Sequence, residues 1–138
     1  MYATVKAALL AQIAANTTGL VAIAGNEPES IEGVGLYCLL RGQSRSYLGG
    51  GEVTVQYQLT ARLAVPLGTN VSGAEDTLDT YVNAVPAALD LDPTLGGHSY
   101  EPARCQTATT GFWDVTGAMD RTMDFALTCA ERGPLGTL

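Results

Sequence analysis

The chain has 138 residues, 46% hydrophobic and 15% charged, which suits one domain with a core of its own. Seven Lys and Arg against fourteen Asp and Glu leave a net charge of −7. That argues against a polyanion as the main partner, because neutralising phosphates needs clustered cations. Cys38, Cys105 and Cys129 are odd in number and far apart, which fits neither a disulfide framework nor a zinc site and suits a reducing cytoplasm.

From Thr4 to about Ala15, helical spacing puts Val5, Ala8, Leu9, Gln12 and Ile13 on one face. AALLAQIAAN has only Lys6 before it and Gln12 within it, so it reads as an amphipathic helix rather than the apolar centre of a signal peptide. Asn16 to Gly19 ends it with turn residues. LVAIA, 20–24, is a short apolar run that spacing leaves open between strand and helical turn, and 25–35 reads as a Gly-, Glu- and Pro-rich loop. LYCLL, 36–40, predicts a short buried strand, followed by a polar, glycine-ended loop over 41–51.

Val53, Val55, Tyr57, Leu59, Ala61, Leu63 and Val65 alternate with mostly polar residues, which predicts a long strand with one face buried and one wet, stopped by Pro66. Ser72 and Glu75 have the spacing of a capping box at a helix start, with Asp76 and Asp79 near the positive end of the helix dipole. Leu78, Tyr81, Val82, Val85 and Leu89 form the apolar stripe of that helix, which Pro86 is expected to kink or end. Residues 90–103 are rich in turn formers, 103–109 predicts a weak strand, and 110–113 a turn carrying Phe112 and Trp113. Met119, Met123, Phe125, Leu127 and Cys129 then alternate with polar neighbours in a final long strand, with Arg121 the break in its apolar face and 133–138 a loose tail. The pattern predicts an α+β fold, a largely antiparallel sheet with helices packed on one face, in a single domain over 1–138. No apolar run nears the roughly 18 residues of a membrane span.

Catalytic signals are weak. DLDPT, 90–94, matches the D-x-D-x-T pattern of phosphotransferases of the haloacid dehalogenase type, which place an Asp nucleophile at the end of a buried strand and add a lysine. Here it follows a helix, and the only lysine is Lys6, so a helix exit explains it better. Gly33, Gly35 and Gly49–Gly51 imitate phosphate cradles, but such loops open helices and these precede strands. His98 is the only histidine, and a metal site would need Asp114, Asp120 and Asp124, two of which fall on a wet strand face. No enzyme activity, metal or cofactor is expected.

The run EVTVQYQLTARLAVP, the helix SGAEDTLDTYVNAVPAAL, the connection ending HSYEPA, the GFWD element and the strand AMDRTMDFALTCAE together resemble the tail terminator proteins of long-tailed bacteriophages. The resemblance covers most of the chain as a pattern, with Gly111-Phe112-Trp113 the one motif-like element; GNEPESIEG and Gly49–Gly51 do not align. It implies a homohexameric ring that caps the tail tube, ends its polymerisation and meets the head-completion or neck protein. It further implies a place in the virion at the tail–neck junction, after assembly in the host cytoplasm, with DNA passing the lumen without specific binding. The alternatives are another neck, head–tail joining or tail tube protein of related fold, and a small phosphate-ester hydrolase. In a ring, carboxylates of 25–32 or 73–89 would face the lumen, where they repel phosphates. The expected contact surface with a neighbour or the tube protein is Arg41, Arg45 and Tyr47, on a loop freed by Gly49, Gly50 and Gly51. Phe112 and Trp113 form a second patch. The competing readings are a plain hairpin connection for the loop and a core anchor for Trp113.

Overall fold

Apolar residues at three- and four-residue spacing build two helices here, and alternating ones build the strands they cover. The computed structural model describes residues 2–23, 33–68, 71–115 and 118–138. The elements run α1 (Tyr2–Ala15), β1 (Val21–Ile23), β2 (Gly35–Leu48), β3 (Glu52–Pro66), α2 (Val71–Leu91), β4 (Arg104–Val115) and β5 (Ala118–Pro134). The sheet has the order β1-β2-β3-β5-β4, antiparallel throughout except for β1, which pairs in parallel with β2 at Gly35–Tyr37. This is an α+β fold with helices against one face of a largely antiparallel sheet. The short run at 20–24 thus supplies a strand, and most of the expected loop at 25–35 lies outside the described residues.

The core lies between the helices and one sheet face. Across β3 and β5 the register opposes Tyr57 to Cys129, Leu59 to Leu127, Ala61 to Phe125 and Leu63 to Met123, all buried. Onto this surface α1 lays Val5, Leu9 and Ile13, joined by Leu10, while α2 lays Leu78, Tyr81, Val85 and Leu89. Gln12, placed in the α1 stripe, uses its amide to donate to the Ala88 carbonyl at 3.1 Å and so ties the helices together. Cys38 and Cys129 are buried in this core and Cys105 is partly buried, as small hydrophobes.

Five expectations need correction. Residues 41–48 are strand, not loop: β2 runs on to Leu48 and pairs with β3 down to Glu52. The alternation failed to show it because that half of β2 is exposed on both faces. Gly111-Phe112-Trp113 is no turn either but the interior of β4, opposite Thr122, Arg121 and Asp120. The helix begins at Val71, which puts Ser72 inside its first turn, and the Glu75 carboxylate reaches Arg121 across the domain at 2.6 Å. Of the two outcomes expected at Pro86, a kink or an end, the end does not occur, because Val85 on one side and Ala88 and Leu89 on the other are buried against the core and hold the helix through it. The tail is tied down: Gly133 and Pro134 pair with Val53 and Glu52, and the Leu135 amide donates to the Gly51 carbonyl at 2.8 Å.

The opposite sheet face is wet along most of β3 but not at its far end. There Tyr37, Thr60, Ala64 and Thr122 are buried. Arg62 grips both oxygens of Asp124 at 2.8 and 3.0 Å, and the Tyr37 and Trp113 rings meet at 5.6 Å between centroids. A second, partly polar cluster therefore backs the sheet.

Candidate functional site

The surface residues expected from the sequence fall on two opposite edges of the sheet. At one edge β2 and β3 form a long hairpin. Its turn, Gly49–Gly51, joins Leu48 to Glu52, with Gly50 at φ 85° and Gly51 at φ 82°, a backbone that glycine alone adopts without strain. The three glycines shape a hairpin turn rather than free a loop.

A bulge at Arg41 decides what the hairpin displays. Before it Leu36, Cys38 and Leu40 share the helix-covered face; the register shift between Leu40 and Gly42 then moves Gln43, Arg45 and Tyr47 onto that face. Arg41 itself turns away and donates from Nε to Thr60 Oγ1 at 3.0 Å. Tyr47 is 69% exposed, and Arg45 donates from Nη2 to the Leu138 carbonyl oxygen at 3.0 Å. Arg45 is thereby partly occupied by its own chain, which spacing could not show.

Beside Arg45 lies an open cavity of about 300 Å³, lined by Tyr2, Leu40, Gln43, Arg45, Tyr57 and Leu138 with Thr137. Its floor is aromatic, with the Tyr2 and Tyr57 rings 5.1 Å apart. Tyr57 Oη donates to Glu131 Oε1 at 3.0 Å, so a buried carboxylate and a buried phenol satisfy each other. Burial, then this hydrogen bond, pushes the Tyr57 hydroxyl up to about 12. Tyr2 Oη is also buried, and burial lifts it to about 12, yet it finds no hydrogen-bond partner among the described residues. A buried hydroxyl without a partner is costly and uncommon in a finished structure. Sequence reading missed this cavity. The signal available was the hairpin itself, since two runs flanking a glycine turn predict pairing of 41–48 with 52–59.

At the other edge, Phe112 and Trp113 are successive residues of β4 and so point to opposite faces. Phe112 is 63% exposed and lies on the helix face, where the Arg121 guanidinium stacks on it at 4.6 Å. Arg121 also binds Glu75 and donates to the Gly111 carbonyl at 2.8 Å, which explains a cation in an otherwise apolar row. Trp113 is half-buried against Tyr37, nearer an anchor than a free contact. One copy does not bring the two patches together.

The catalytic decoys resolve into turn chemistry. Asp92 accepts from the Thr94 hydroxyl at 2.7 Å and the Gly96 amide at 2.8 Å, which hold its carboxyl below the ordinary range and shape the exit from α2. Asp124 is bound to Arg62. Among the described residues no group of His, Cys, Asp or Glu has the geometry to hold a metal ion. Among the same residues no helix is long and apolar enough to cross a membrane.

No family model and no curated protein matches this chain.

Proposed function

We propose that this chain is a structural subunit of a phage tail, a tail terminator that assembles as a homohexameric ring. The ring caps the tail tube, ends its growth and presents a face to the head-completion or neck protein, while DNA passes through the lumen without specific binding. The observation that carries this reading is the hairpin arm. Beyond Leu40 the β2 strand is exposed on both faces and lends almost nothing to the core, yet it is held straight by pairing with β3 and by the tail at Gly51 and Arg45. A protein that acts alone gains nothing from a stiff, uncovered strand with an open edge, whereas a subunit uses one to reach its neighbour. The absence of a convergent set of reactive side chains among the described residues keeps an assembly role ahead of hydrolysis.

Native mass spectrometry of the purified chain, alone and with the tube protein, tests the reading. Six-membered rings are expected, with capped tubes of limited length by electron microscopy. A chain that stays monomeric at high concentration and leaves tube length unchanged would overturn it.

A further inference from the structure

We propose that neighbouring copies join edge to edge, the free edge of β2 in one copy pairing antiparallel with the outer edge of β4 in the next. In this join Phe112 of the neighbour enters the cavity between Leu40, Gln43 and Tyr2. The proposal rests on the ring reading and names the surface that builds the ring.

Four observations converge on it. First, among the described residues both edges are open: β1 covers β2 only at Gly35–Tyr37, and no strand pairs with the outer side of β4. Open edges carry unpaired amides and carbonyls that template another strand. Second, β4 lacks the usual protection. Its stretch from Thr107 to Trp113 holds no charge and no proline, and Thr107–Thr110 are exposed on both faces. Third, the strand count is right. From β2 through β3 and β5 to β4 each neighbour is antiparallel, so the two outer strands run in opposite directions. A rotation therefore sets β2 of one copy antiparallel to β4 of the next. Because 42–48 lie level with 128–134 of β5 and 107–113 level with 126–120, joining those stretches inclines the strands to the rotation axis, as in a barrel with shear, and repeating the rotation closes a ring. Fourth, the regular parts match. β2 is bulged at Arg41 and β4 at Gln106, which leaves 42–48 and 107–115 as uninterrupted stretches, the second long enough to cover the first.

Those stretches define a register. Gln43 opposite Phe112 sets Arg45 against Thr110, Ser46 against Thr109 and Tyr47 against Ala108, so no like charges meet. Gln43, Arg45 and Tyr47 lie on the helix face of β2, and Ala108, Thr110 and Phe112 lie on the helix face of β4, so the faces continue across the join. The largest apolar side chain offered by β4 on that face is Phe112, 63% exposed, and the cavity it would meet is about 300 Å³ with an aromatic floor. A β2–β2 pair centred on Arg45 is disfavoured, because it would set the two Arg45 side chains against each other.

Disulfide trapping tests the register. In a Cys105→Ser background, Ser46→Cys with Thr109→Cys places the two thiols across a strand pair, where antiparallel spacing suits a disulfide. Within one copy they are three strands apart, and Ser46 is level with Arg132 but Thr109 with Asp124, so they are also separated by roughly 27 Å along the strands. Oxidation should give a ladder of covalent oligomers ending in a closed species, at least tenfold more abundant than with Ser44→Cys and Thr109→Cys. Phe112→Ala, whose ring is exposed and rests on Arg121 within its own copy, should lower the melting temperature only slightly and raise the concentration of half-assembly at least tenfold. If rings appear by native mass spectrometry but the ladder does not, the join is wrong and the ring reading stands. Cross-linked dimers from Thr109→Cys alone would mean that β4 pairs with itself, which also overturns it. If no ring forms under any condition, both fail.

Discussion

Leu59 sits at the centre of the sheet opposite Leu127 and is 2% exposed, so truncating it leaves a hole that strands on both sides cannot close. Leu59→Ala should cost about 2–5 kcal/mol in urea melts; a change below about 0.5 kcal/mol would mean that the buried face is assigned wrongly. Arg121 is a different case, a cation only 14% exposed and satisfied by three partners at once. Arg121→Ala should cost about 1–3 kcal/mol because it strands the Gly111 carbonyl and empties a packed site, whereas Glu75→Gln, at a half-exposed carboxylate, should cost under about 1 kcal/mol. The break that Arg121 makes in an apolar row was legible in the sequence. Its partner was not, because Glu75 lies a helix away and no local spacing links them. Burial raises the thiols of Cys38 and Cys129 from 9.0 to about 11 and about 12, and the Tyr57 hydroxyl from 10.0 to about 12. The folded chain therefore holds more protons than the unfolded one between pH 9 and 12, and stability must fall as pH rises through that window. Denaturant midpoints should be flat up to pH 8 and drop by pH 10.5, and Cys38→Ala should shallow the drop.

At the scale of elements, the parts legible in advance are those that bury one face. β3 and β5 alternate because one side meets the helices, and α2 carries its stripe because the sheet lies beneath it. What escaped reading was each stretch without that asymmetry. The outer half of β2 and most of β4 are exposed on both faces, so nothing selects apolar residues at a period of two, and pairing alone makes them strands. The cavity escaped for a related reason: it is assembled from α1, β2, β3 and the segment after β5, and the Arg41 bulge sets which β2 side chains reach it. The hairpin turn offers a test at this scale. Gly50 needs φ near 85°, while Gly49 has an ordinary φ and open space around it. Gly50→Ala should destabilise by about 1–2 kcal/mol, and Gly49→Ala should be neutral or slightly stabilising by thermal melting. If both are neutral, the turn is not fixed in the conformation that stiffens the arm.

At the scale of the whole molecule, charge and edges oppose each other. Each copy carries −7, so copies brought into a ring repel, while the surfaces that would join them are uncharged on β4 and carry Arg41 and Arg45 on β2. Repulsion between exposed charges is long-range and screened within about 8 Å at physiological ionic strength, whereas strand pairing and the burial of Phe112 act at contact and are not. Salt should therefore favour assembly. Raising sodium chloride from about 0.02 M to about 0.3 M, which shortens the screening length roughly fourfold, should lower the concentration of half-assembly severalfold in sedimentation or mass photometry. The opposite outcome, rings that fall apart as salt rises, would mean that ion pairs between copies hold the assembly, with Arg45 released from the Leu138 carbonyl the first cation to examine. The same charge bears on the lumen of the proposed ring. If carboxylates line it as expected from the sequence, they repel phosphates, and short duplex DNA should show no measurable binding to the assembled chain even at low salt, where any cationic lining would bind it most strongly.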